Sequence, residues 1–284
     1  MKAKLHYVLS ITIFLTVFSA LGQNSSWKKI EKTKHTEILS KLHLDKNKVH
    51  LFELDMASLK QHISSAKLRT SKNKRSRTII SLPSEDGNME SFNIYEAPVF
   101  SPSLAAKYPN IKSYVGIGID NPKARLRMSV SPQGVETMVT YVGKPMVFMQ
   151  PVTKGSNQYV LYNRDDKENL FDKFECKTFD KLNETYNKNS NTAKINDEGG
   201  ANNQTLQKFR IAISTTAEYT AYHYVSDSIA DALAAINATL TRVNEIFETD
   251  MAVTFELVDA TQLIYTNAAT DPYSDASVGK GGPR

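Results

Sequence analysis

The chain has 284 residues, 40% hydrophobic and 23% charged, with 12 glycines and 10 prolines. That length allows about two domains, and the composition excludes collagen-like, disordered and multi-pass membrane classes. A single cysteine excludes a disulfide framework, a four-cysteine zinc module and an iron–sulfur ligand set. The net charge of +5 conceals a change of sign: residues 23–205 carry 28 basic and 20 acidic side chains, residues 206–284 carry 5 and 10. A basic middle and an acidic end attract each other if they meet.

Lys2 and Lys4, the apolar run Val8 to Phe18 and the small residues before Gln23 have the layout of a signal peptide over 1–22, cleaved between Gly22 and Gln23. The run is about half the roughly 20 residues that span a bilayer. The mature product is therefore expected to be secreted or at the cell surface, with no stable membrane span.

Trp27, Ile30, Ile38 and Leu42 share a helical face, which predicts a short amphipathic helix between Trp27 and Leu44. Val49 to Leu54 reads as a strand, and Asp55 as the cap of a helix carrying Met56, Leu59, Ile63 and Ala66 on one face. Lys67 to Arg77 holds six basic residues and no acid or aromatic. That pattern is an exposed, protease-sensitive loop rather than a nucleic-acid groove.

The periodicity then changes to two. Segments 77–82, 91–97, 113–120, 124–130, 134–141 and 158–163 are β-branched and aromatic, separated by turns such as Asn121-Pro122 and Pro132-Gln133-Gly134. They predict an antiparallel β domain. Residues 183–205, rich in Asn, Thr, Lys and Gly, read as a linker.

Beyond it, Phe209, Ile211 and Ile213 alternate as a strand, as do Val253, Phe255 and Leu257. Between them Ile229, Leu233, Ile236, Leu240, Val243 and Phe247 step by three and four. Strand, helix, strand makes a βαβ unit with parallel strands. The expected class is α+β, an antiparallel β-rich domain followed by an α/β unit that about 80 residues leave incomplete.

Catalytic signatures are missing. His6, His35, His43, His50, His62 and His223 form no HExxH pair, no GxSxG elbow occurs, and no cysteine-protease context surrounds Cys176. Gly116-Ile117-Gly118 sits in a strand pattern and signals close packing rather than a nucleotide. The helical neighbours Asp227 and Asp231, and Glu245 and Glu248, read as solvated faces. Cys176 has two readings: an inert buried thiol, or a thiolate for a metal held elsewhere in the full protein.

Three stretches in the first half, SFNIYEAPVFSPSLAAKYPNIKSYVGIGID (91–120), ARLRMSVSPQGVETMV (124–139) and QYVLYNR (158–164), precede three in the second. These are FRIAISTTAEYTAYH (209–223), DALAAINATLTRVNEIFETDMAVTFELV (231–258) and QLIYTNAATDPY (262–273). Together they resemble secreted bacterial zinc metalloproteases of the reprolysin-like metzincin group, flavobacterial type. The resemblance implies a propeptide domain over 23–182, the linker at 183–205, and the truncated N-terminal part of a metalloprotease catalytic domain at 206–284.

It further implies zinc and protein or peptide substrates in the intact protein, with the catalytic domain as the propeptide's own partner. The family's HExxHxxGxxH helix is absent, so the chain alone is expected to bind no zinc and to be inactive. No catalytic residue carries over. Cys176 is the candidate inhibitory zinc ligand of a cysteine switch. Two non-enzymatic readings stand beside this one: a secreted β-rich adhesion or binding protein, and a prodomain-like inhibitor acting in trans. Neither they nor the zymogen involve nucleic acid.

Overall fold

Alternation of apolar and polar residues from His50 to Asn163 is realised as one antiparallel sheet. The computed structural model describes residues 26–31, 44, 48–70, 78–166 and 205–273. The sheet has nine strands: β1 (Trp27–Ile30), β2 (His50–Leu54), β3 (Ile79–Pro83), β4 (Met89–Glu96), β5 (Lys112–Gly118), β6 (Arg125–Ser131), β7 (Gly134–Tyr141), β8 (Lys144–Pro151) and β9 (Gln158–Asn163). Their order is β1-β2-β9-β8-β7-β6-β5-β4-β3, a meander from β3 to β9 to which the two first strands are added.

The sheet curls, so that strands that are not neighbours in it are joined by side chains. Asn163 at the end of β9 donates to Glu85 in the β3–β4 turn at 2.6 Å, and the Tyr141 hydroxyl of β7 donates to Glu90 of β4. The concave face is one core to which every strand contributes, with Phe52, Phe92, Ile94, Leu126, Met128 and Tyr159 almost fully buried. Helix α1 (Met56–Ile63), capped by the Asp55 carboxylate on the Ser58 N–H, adds Leu59 and Ile63 to it. Close packing explains Gly116, where a Cβ would meet Leu126 and Ile94 at 3.1–3.2 Å.

Two features depart from the sequence reading. Trp27–Ile30 is a strand, not the start of a helix, because Trp27 packs edge-on against Tyr159 at 5.0 Å and β1 pairs with β2 from Trp27↔Leu54 to Ile30↔Leu51. Long-range pairing outweighs a weak helical periodicity there. Strand β8 was not expected, since Pro145 and Pro151 bracket it. Between them Val147 and Met149 point into the core, and the prolines stand at its ends, where missing donors are tolerated.

The second half is a strand–helix–strand unit with parallel strands. Strands β10 (Gln207–Ile211) and β11 (Val253–Leu257) pair from Gln207↔Val253 to Ile211↔Leu257. Between them run α3 (Ala217–His223) and the 24-residue α4 (Ser228–Met251). The Asp227 carboxylate accepts from the Ile229 and Ala230 N–H groups at the start of α4, and Ala252, with φ 53°, ends it in the left-handed region. The remaining helix, α2 (Pro102–Lys107), lies between β4 and β5 and opens with a proline at its first position.

Tyr159 joins the core to the β6–β7 turn, its hydroxyl accepting from the Val135 N–H at 3.1 Å. Tyr159→Phe keeps the ring and strands that donor in a buried place. The substitution should lower unfolding free energy by about 1–2 kcal/mol, measured by denaturant titration.

Candidate functional site

The outward face of β5 to β7 is polar by alternation, yet it is not in water. Helix α4 lies across it. The helix turns one stripe, Leu233, Ile236 and Leu240, toward β11, and another, Asn237, Thr241, Glu245 and Glu248, toward the large sheet. The second stripe steps by four, four and three, so its members share one helical face.

At its centre is an ion cluster. Arg127 of β6 and Glu245 have side chains only 4% and 3% exposed and meet at 2.5 Å. Arg127 also reaches Glu248 at 2.7 Å, and Arg69 adds two bonds to the same carboxylate at 2.8 and 2.9 Å. Arg125 closes on the other oxygen of Glu245 at 2.8 Å. Burial alone raises the Glu248 carboxyl, but hydrogen bonds and charge from Arg69 and Arg127 outweigh it and bring it down to about 2.

Toward the start of the helix the contacts become neutral. Ser113 of β5 donates to Asn237 Oδ1 at 2.8 Å, and Asn237 Nδ2 donates to Ser129 of β6 at 2.8 Å. The Thr241 hydroxyl lies 3.0 Å from Ser113 Oγ. At the far end the loops of the large sheet grip the α3–α4 junction: Gln133 Nε2 donates to the His223 and Asp231 carbonyls, and Lys154 Nζ donates to the Tyr222 carbonyl. A cation over the last carbonyls of a helix is electrostatically favourable.

Apolar contact completes the joint. Val99, Phe100, Leu104 and Ile111, from the segment between β4 and β5, are buried in the same core as Leu233, Ile236, Leu240 and Leu257. That segment also pairs with the edge of β11 in parallel: the Leu257 N–H bonds to Val99 O at 2.8 Å, and the Ser101 N–H to Leu257 O at 2.9 Å. The two-stranded small sheet is thus tied to the first half of the chain by a β-bridge at Phe100, and its hydrophobic core is shared.

The acidic pairs read as solvated faces are corrected by this geometry. Glu245 and Glu248 are buried partners of arginine. Asp227 is the α4 cap, and Asp231, 4% exposed, accepts from the Val225, Ser226 and Asp227 N–H groups. Burial pushes the Asp231 carboxyl up, but bonds from the Ser226 N–H, Gln133 and the Val225 and Asp227 N–H groups leave it lowered. The arginines were missed although their signal was present: Arg125 and Arg127 alternate with inward Leu126 and Met128.

Cys176, Gly22 and Gln23 lie outside the described residues. Among the described residues no group of three or more His, Cys, Asp or Glu could hold a metal ion, so these residues do not fit a zinc centre. His223 sits between the Tyr219 and Tyr222 rings at the end of α3, where burial and then Lys154 lower its pKa. A cleft of about 540 Å³ beside the ion cluster is lined by Arg69, Phe100, Arg127, Lys208, Glu248 and Phe255. Its charges are paired, Lys208 with Glu256 at 2.7 Å as well as Arg69 with Glu248. No described helix is long and apolar enough to cross a membrane.

Residues 205–282 match the family described as Metallo-peptidase family M12B Reprolysin-like. The matched part holds β10, α3, α4 and β11. No curated protein and no solved structure matches the chain.

Removing one partner of the buried cluster leaves an uncompensated charge. Arg127→Met should cost about 3–5 kcal/mol in unfolding free energy, whereas Lys208→Met, at an exposed pair, should cost less than about 1 kcal/mol. Glu248, with its folded pKa depressed, contributes stability that is complete above its ordinary 4.5 and is lost as pH falls toward about 2. The shift corresponds to about 3 kcal/mol. Glu248→Gln should therefore flatten the rise of stability with pH across that window, read by chemical denaturation at several pH values, while Asp231 retains part of the slope.

Proposed function

We propose that the chain is the N-terminal portion of an exported zinc-dependent endopeptidase zymogen, in which a β-rich propeptide over 23–182 holds the opening part of a reprolysin-like catalytic domain. The observation that carries this reading is the joint just described. Among the described residues, the core around the segment matched to the metallopeptidase family includes Val99, Phe100, Leu104 and Ile111 of the first half. A propeptide that assists folding and restrains a catalytic domain needs such an intimate contact.

In this reading residues 1–22 are a signal peptide cut between Gly22 and Gln23, and the product is secreted or held at the cell surface. Zinc and the residues that bind it belong to the intact protein, whose substrates are proteins or peptides. Cys176 is a candidate inhibitory ligand to that zinc. The family likeness of residues 205–282 supports the peptidase assignment, and the buried joint supports the division of labour between the two halves.

The intact protein should hydrolyse an unfolded protein substrate in a chelator-sensitive manner, with more activity after the connection near residues 183–205 is cut. Cys176→Ser should raise the activity seen before that cut. Absence of chelator-sensitive hydrolysis both before and after cutting would sink the reading; unchanged latency in Cys176→Ser would remove only the cysteine.

A further inference from the structure

The halves are joined covalently through residues 167–204, but the contacts between them are of the kind that hold separate chains together. We propose that the first half is a self-sufficient docking partner for the 205–273 unit, remaining bound after the connecting segment is cut, with release requiring the Phe100 wedge and the Arg127 cluster to be dislodged. The partner it fits is defined by chemistry. It is a helix with carboxylates at i and i+3, a threonine and an asparagine four and eight residues before the first carboxylate, followed by a strand with an open edge.

Three independent recognition elements support this. Val99–Ser101 forms a parallel β-bridge to the edge of β11 through two main-chain bonds, with Phe100, 3% exposed, in the core beside α4. Pairing at a strand edge gives affinity through the backbone and specificity through alternate side chains. The guanidinium of Arg127 bridges Glu245 and Glu248, and a desolvated arginine among apolar contacts has the character of an interface hot spot. Gln133 and Lys154 hold the carbonyls at the end of α3, and Gln133 also holds that of Asp231, about 20 Å along α4 from the ion cluster. None of these uses the connecting segment.

The pairs also determine how salt acts. Arg127, Glu245 and Glu248 have side chains no more than 5% exposed, so added salt screens them less than the rim contacts of Arg69 and Arg125, at 34% and 46%. Attraction between a basic and an acidic body would weaken in salt; this clasp should not. Its regulatory meaning rests on the zymogen reading above, since a propeptide held this way delays activity beyond the cut. The association itself rests on geometry alone, so the two can fail separately.

The test uses the whole chain with a site for a sequence-specific protease inserted after Asn189. The protein is folded, cut to completion, and run on size exclusion at micromolar concentration. The two pieces should coelute in both about 0.1 M and about 1 M salt, where screening lengths are about 10 and 3 Å. Separation at either salt overturns the proposal. Exchange of a labelled first half against unlabelled cut protein gives the dissociation rate. Phe100→Ala and Arg127→Ala, cut in the same way, should exchange at least about tenfold faster, one decade for each 1.4 kcal/mol lost. Lys208→Ala should exchange as wild type. Unchanged exchange in both variants overturns the assignment to this interface, and a variant that fails to fold leaves the wild-type elution as the deciding result. Lack of peptidase activity would count against the zymogen and not against the clasp.

Discussion

A guanidinium taken out of water must be matched by carboxylates and by geometry, and Arg127 is matched on both counts. It lies 4% exposed on the outward face of β6, where an antiparallel sheet with its other face on the core would ordinarily meet solvent. Its burial is sustainable only because α4 brings Glu245 and Glu248 onto it, and two buried carboxylates on one arginine leave an excess negative charge. Arg125 and Arg69, at 46% and 34% exposure, more than offset it from the rim. The two halves are consequently interdependent: each carries buried charge that the other neutralises.

Such a cluster contributes less to net stability than its short distances suggest, because desolvation cancels much of the attraction. Its stronger effect is on register. Turning α4 by one residue, about 100°, would carry both carboxylates off Arg127 and take Asn237 away from Ser113 and Ser129. A wholly apolar stripe would tolerate such a slip. The affinity comes instead from the shared core around Phe100 and from the β-bridge to β11, which are non-polar and main-chain contacts respectively. Polar groups fix where the helix lies, and apolar groups hold it there.

Much of this was legible in the sequence. Alternation located seven of the nine sheet strands to within about two residues, the α1 cap was read from Asp55, and the long helix was read from Leu233, Ile236 and Leu240. The change of charge sign near residue 206 anticipated basic and acidic partners, as Arg69, Arg125 and Arg127 against Glu245 and Glu248 show. What escaped notice depended on distant partners. A helix face of Asn237, Thr241, Glu245 and Glu248 has the composition of a solvated stripe, and only the sheet packed against it makes it interior. Likewise Phe100 and Leu104, between two strands of one half, belong to the core of the other. Local periodicity reports which residues share a face, not what covers that face.

The shared core has a consequence for folding order. The contact between Phe100 and Leu257 spans more than half the chain, and long-range closures of this kind form late because chain entropy must be lost first. The large sheet, by contrast, is mostly a meander of neighbouring strands from β3 to β9, and its concave core needs nothing from residues 205–273. The natural sequence of events is a sheet that forms first and presents Val99 to Ser101 and the arginine row as a template. Helix α4, with β11 behind it, then condenses onto that surface. The two hydrophobic cores are not equivalent: that of the large sheet draws only on the first half, whereas among the described residues that around α4 draws on both.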